Sequence, residues 1–152
     1  MAYSTIPAVL AALVSTARGV LPESVSVYDG QPDRDPSDEC VVIGFTGNPL
    51  EAAVEDTRTV EEITRERDRE RYEVTNLASS WLGQETDLQA VRLRAFSFVD
   101  AVAAALAQDQ TLGGVCMRAR VSVVGLAQMQ TNRGAEATIM FTVAVDAFTG
   151  RS

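Results

Sequence analysis

Through residues 115–149, apolar and polar positions alternate in two runs. Met117, Ala119, Val121 and Val123 are matched, across a short polar break, by Ala135, Ala137, Ile139, Phe141, Val143, Val145 and Ala147. Period-two alternation predicts two half-buried strands sharing one dry face. The break at residues 128–134 contains Asn132, Arg133 and Gly134, which suits the bend of an antiparallel hairpin. The even positions Arg118, Arg120 and Ser122, facing Glu136, Thr138, Thr142 and Asp146, then form a polar outer face. Arg118, Arg120, Glu136 and Asp146 are its candidate functional residues.

The rest of the chain has to cover the dry face. Near the start, Val9, Leu10, Leu13, Val14 and Ala17 recur at helical spacing, with Ser4 and Thr5 as cap candidates, Pro7 in the first turn and Gly19 at the end. A second, longer stripe of Leu88, Val91, Ala95, Phe98, Val99, Val102, Ala105 and Leu106 predicts a helix of about five turns, capped by Thr86 or Asp87. Between the helices, residues 24–28 read as a β-branched and aromatic strand closed by Asp29-Gly30. Residues 40–45 read as a short strand buried on both faces, and the acidic, proline-containing residues 31–39 as an exposed loop.

Residues 51–82 are different. Eight acids and five arginines fall between Glu55 and Glu73, with near-strict alternation from Arg65 to Arg71. Helix and extended hairpin both stay open, since Val54, Val60 and Ile63 fit neither period well. The hairpin is favoured because Tyr72 and Val74 resume strand alternation and lead the chain back toward the body. Leu77 and Trp81 fall out of phase with them, so a bulge near Asn76 is expected. The element order gives an α+β domain over residues 1–152: an antiparallel or mixed sheet, two helices packed on one face, and a projecting charged β-hairpin arm. Such an arm, burying little of itself, would be ordered by a partner. Its candidate inter-subunit contacts are Glu61, Glu62, Arg65, Arg67, Arg69, Arg71, Tyr72 and Trp81, with core packing the competing role for the two aromatics.

Composition removes chemistry from this picture. Thirteen basic residues, all arginine, stand against twenty-one acids for a net charge of −8, and the chain has no lysine or histidine. Imidazole and amine catalysis are therefore absent. The acidic balance also argues against a sequence-independent grip on nucleic acid. Cys40 and Cys116 lie in separate apolar runs without ligand spacing and read as small buried thiols. No zinc ligand set, phosphate loop or catalytic carboxylate pair emerges; Asp33, Asp35 and Asp38 belong to the acidic loop. No stretch is long and apolar enough to read as a membrane span or secretion signal, so the expectation is a soluble protein without cofactor, metal or membrane.

The ordered features resemble the tail terminator, or tail completion, proteins of long-tailed bacteriophages. The resemblance is carried by Val25-Ser26-Val27-Tyr28-Asp29-Gly30, by Val41-Val42-Ile43-Gly44-Phe45, and by the run from Arg67 to Val74 that leads on to Trp81. It continues through Thr86-Asp87, Arg92-Leu93-Arg94-Ala95-Phe96 and residues 109–114, and ends with Gln128-Met129-Gln130-Thr131, Gly134-Ala135 and Phe141-Thr142-Val143-Ala144-Val145. It implies a structural virion protein and not an enzyme. Family members are expected to form a homo-oligomeric, hexameric ring that caps the head-proximal end of the tail tube. That ring stops elongation and joins the tail to the head connector. Its expected partners are the major tail tube protein and the connector or stopper protein, with DNA passing through the lumen without specific binding. Two other readings stay open: a tail tube or neck subunit, and a small-ligand binding module or carboxylate enzyme on the same fold.

Overall fold

The computed structural model describes residues 3–32, 39–60, 67–82, 87–131 and 134–150. The described elements are α1 (Ile6–Val20), β1 (Ser26–Asp29), β2 (Cys40–Ile43), β3 (Val54–Val60), β4 (Arg67–Leu82), α2 (Leu88–Gln108), β5 (Arg118–Thr131) and β6 (Gly134–Gly150). They form the predicted α+β fold: one six-stranded mixed sheet in the order β1-β2-β4-β6-β5, with β3 also paired to β4. Only β1 and β2 run parallel; the other neighbours are antiparallel.

The spine is β4. One edge pairs with β6 along the full length from Arg67 to Leu82, and the other is shared between β3 at residues 68–74 and β2 at residues 76–79. Even positions of β4 and odd positions of β6 face the helices, which buries Tyr72, Val74 and Ala78 against Ile139, Phe141, Val143 and Val145. The helix α1 lies over β1 and β2, while α2 covers β4, β6 and part of β5. Both helices bury the stripes their spacing predicts: Val9, Leu13, Val14 and Ala17 in α1, and Val91, Ala95, Phe98, Val99, Val102 and Leu106 in α2. Asp87 caps α2, its Oδ1 accepting from the backbone N–H groups of Gln89 (3.0 Å) and Ala90 (3.3 Å). Thr86 lies outside the described residues.

Several expectations change. The strands β3 and β4 pair antiparallel, but β4 remains laddered to β6 down to Arg67, so the base of the arm is a three-stranded part of the sheet. The expected bulge near Asn76 is absent. Register runs unbroken through β4, so Leu77 and Trp81 take the face opposite Tyr72 and Val74. Asn76 stays in phase with the core as a fully buried amide that satisfies its own polarity. Its Nδ2 donates to the carbonyls of Val74 (3.0 Å) and Phe141 (3.3 Å), and its Oδ1 accepts from Gly44 N (3.0 Å).

The bulge lies in β5 instead. Val121 pairs with Val143 and Val123 with Thr142, which leaves Ser122 as the extra residue. Alternation shifts by one there, so Val124 and Leu126 join the helix side of the sheet while Met129 falls on the far side. The β5 strand also runs on to Thr131, shortening the predicted break. Met117, expected in the dry run, is 42% exposed just ahead of β5. Both cysteines are free and buried.

Candidate assembly surface

The sheet face turned away from the helices has two halves. Toward the arm it is a charged, concave bowl of about 540 Å³, lined by Glu55, Arg71, Glu73, Arg118, Arg120 and Asp146 among others. The registers stack these side chains into rows across the strands. One row is Thr57, Arg71, Asp146 and Arg118; the next is Glu55, Glu73, Ala144 and Arg120. Asp146 organises the first row. It receives Arg69 through two bonds, from Nε at 2.9 Å and Nη2 at 2.5 Å, and has Arg71 Nε at 3.8 Å. The Arg69 hydrogen bonds, with smaller contributions from the nearby charges of Arg71 and Arg118, hold its carboxyl below the usual carboxylate range despite partial burial.

The other half of this face carries large apolar side chains on either side of the Ser79–Thr138 pair. Leu77, Met140 and Gly125 form one row, Trp81, Glu136 and Met129 another. Met129 is 55% and Met140 44% exposed, while Leu77 and Trp81 are half-buried. The outer face is thus polar at the expected positions of the terminal strands and apolar beside them. The unbroken phase of β4 brings two large apolar side chains out, and β6 contributes Met140 from an even position.

The predicted residues separate accordingly. Arg69, Arg71, Arg118, Arg120 and Asp146 meet in the bowl or on its rim, and Glu136 and Trp81 sit side by side at the apolar end. Tyr72 leaves the set of contact candidates. Its side chain is 4% exposed in the core, burial pushes its hydroxyl pKa up, and that hydroxyl lies 2.9 Å from Thr5 Oγ1. Glu61, Glu62 and Arg65 lie outside the described residues, as does the side chain of Arg67.

Sequence reasoning missed the polar cluster on the opposite, helix-side face of the arm base. Glu70, embedded in what reads as a solvated charge run, is completely buried. It accepts from Thr5 N (2.6 Å), Thr5 Oγ1, Ser4 Oγ (3.0 Å) and Arg58 Nη2 (3.3 Å). A carboxylate from a distant strand therefore caps α1, where the helix dipole favours negative charge. Arg58 closes the cluster, reaching Asp56 (3.2 Å), Asp68 (3.6 Å) and Thr149 Oγ1 (2.8 Å), with its guanidinium 4.1 Å from the Tyr3 ring centre. Burial pushes Glu70 up, but hydrogen bonds from Thr5 and its neighbours outweigh this and hold it below its ordinary value. Asp56, facing Glu70, is pushed up to about 6 by burial and by that neighbouring carboxylate, against the pull of Arg58. The available signal was the phase: Glu70 shares the even register of Tyr72 and Val74.

Among the described residues no group of three acidic, cysteine or histidine side chains could hold a metal, and no helix is long and apolar enough to cross a membrane. No family model and no curated protein matches the chain. Among solved structures, a chain of the "Virion of native gene transfer agent (GTA) particle" is similar in fold. The TM-score is 0.50 at 10% identity, over 96% of this chain and 100% of that one. The two chains share their architecture over essentially their whole lengths.

Proposed function

We propose that this protein is a structural virion component, a tail terminator that forms a ring at the head-proximal end of a phage-like tail, halts tube elongation and joins the tail to the head connector. The observation that carries the reading is the bare sheet face: neither helix covers it, and it exposes Met129 and Met140 beside a bowl of mixed charge. A face of that size and mixture is a protein-docking surface. Opposed charges at close spacing suit a protein neighbour, whereas a grip on nucleic acid takes unopposed positive charge. The shared fold with a virion chain supports the same reading. The net charge of −8 fits a ring through which DNA passes without adhering.

The test is assembly. Purified protein is examined by light scattering and negative-stain imaging, alone and added to growing tail tubes. Closed rings, and tubes that stop growing once capped at one end, are the expected result. Open-ended polymerisation would make the chain a tube subunit, and a strict monomer that leaves tube length unchanged would refute the proposal.

A further inference from the structure

The two lateral edges of the sheet carry matching features at matching levels. Glu55 on β3 and Arg120 on β5 close opposite ends of a single row, three strand spacings apart, too far to meet within one chain. Both side chains are exposed, and among the described residues neither makes an ion pair.

One level further along, the loop between β2 and β3 leaves the sheet. Its height is fixed by Phe45 N donating to the Thr75 carbonyl (2.9 Å) and Thr75 N donating to the Ala53 carbonyl (3.0 Å). At its tip Leu50 is 94% exposed. The tip is nonetheless braced. Asn48 Oδ1 accepts from Leu50 N (3.0 Å), Asn48 Nδ2 donates to Glu51 Oε1 (3.3 Å), and Thr46 Oγ1 accepts from Asn48 N (3.1 Å). A leucine held out on a pinned loop has already lost the freedom that binding would otherwise cost it. Straight across the sheet, Thr75 pairs with Thr142 and Thr142 with Val123, where the β5 bulge begins a stretch without any charge up to Thr131. Among the described residues that stretch is an open edge, with Val124 and Leu126 more than two-fifths exposed and, beyond the bulge itself, no lysine, proline or inward charge to protect it.

Resting on the ring assembly proposed above, we infer that these edges are the two halves of one contact between copies of this chain: Leu50 of one copy seats on Val124 and Leu126 of the next, and Glu55 lies against its Arg120. The two halves differ, so the contact is head-to-tail and propagates around a ring. The occupant is a second copy because the charges are complementary at one level of the sheet, and the loop of Leu50 is anchored at Thr75, next to the level where Val124 begins the uncharged edge.

The experiment is a concentration series by light scattering on the full chain and on Leu50→Asp, Glu55→Arg, Arg120→Glu and the double reversal Glu55→Arg/Arg120→Glu. All four change exposed side chains, so each should melt like the wild type. Leu50→Asp is expected to weaken association by at least about thirtyfold, as for a truncated anchor. Each single reversal should weaken it by about tenfold, and the double reversal should recover most of that loss. Rings that form from Leu50→Asp and both single reversals at the wild-type midpoint would overturn the edge assignment while leaving the ring reading intact. Loss of binding to another tail protein with unchanged self-association would also overturn it. A wild type that stays monomeric at every concentration would overturn both.

Discussion

Replacing Glu70 by alanine probes whether the base of the charged hairpin belongs to the folded domain. The carboxylate is fully buried and takes hydrogen bonds from Ser4, from the backbone and hydroxyl of Thr5, and from Arg58. Truncation strands Thr5 N at the start of α1 and leaves Arg58 with Asp56 and Asp68. Breaking a buried, hydrogen-bonded charge constellation from one side costs about 3–5 kcal/mol. Asp56 simultaneously loses a like-charged neighbour, which returns part of this, so the lower end is expected, about 3 kcal/mol. For a domain of this size that is a fall of roughly 6–12 °C in melting temperature. Differential scanning calorimetry with urea titration measures it, and Glu70→Gln, which keeps the shape and some acceptor capacity, should fall in between. A loss below about 1 kcal/mol for Glu70→Ala would mean that the hairpin base is solvated surface and the cluster contributes nothing net.

Other expectations follow from individual contacts. Asp56 has a folded pKa raised to about 6 above an ordinary 3.8, so the folded chain holds a proton that the unfolded chain releases. Stability from this group should therefore rise as pH falls through 6 toward 4, and Asp56→Asn should flatten melting temperature against pH over that range. Asn76→Ala removes the buried amide that serves Gly44 N and the carbonyls of Val74 and Phe141, and should cost about 2–4 kcal/mol by urea denaturation. Gly44 adopts φ +73°, and a Cβ there would stand 3.3 Å from Leu10 Cδ2, so Gly44→Ala should destabilise by about 1–2 kcal/mol in the same assay. Arg69→Ala breaks a half-exposed bidentate pair with Asp146 and should cost about 1 kcal/mol, well under the Glu70 effect.

The elements themselves were readable from the order of residues because periods of 3.6 and 2 are imposed by burial on one face, and both helices and β6 obey them. Asp87 was readable as a cap for the same local reason. The misreadings arise where a distant partner decides. Alternating Arg and Glu share the period of a strand, so nothing local marks Glu70 as the residue that meets the end of α1, sixty-five positions away. Asn76 looked like a break in an apolar phase; it is a core position whose polarity is met by the gap between β2 and β3 on the spine strand. The real bulge left a trace in the Val123-Val124 doublet, two adjacent apolar residues in an alternating run, but its placement depends on the register of β6. Consequently the arginine-rich half of the outer face was foreseeable, and its Leu77, Trp81 and Met140 half was not.

The shared spine has a mechanical consequence. The sixteen paired positions of β4 and β6 run side by side for about 50 Å. A pull along the strands loads all of those bonds together in shear, whereas a pull across them opens the sheet from its end, one bond after another. The pairing of β3 with β4 ends at Val60 and Asp68, beside the Arg67 end of this ladder, and Glu70 ties the ladder to α1 near that end. Tension applied along the strands at that end is therefore spread over the length of the ladder before any single contact has to yield.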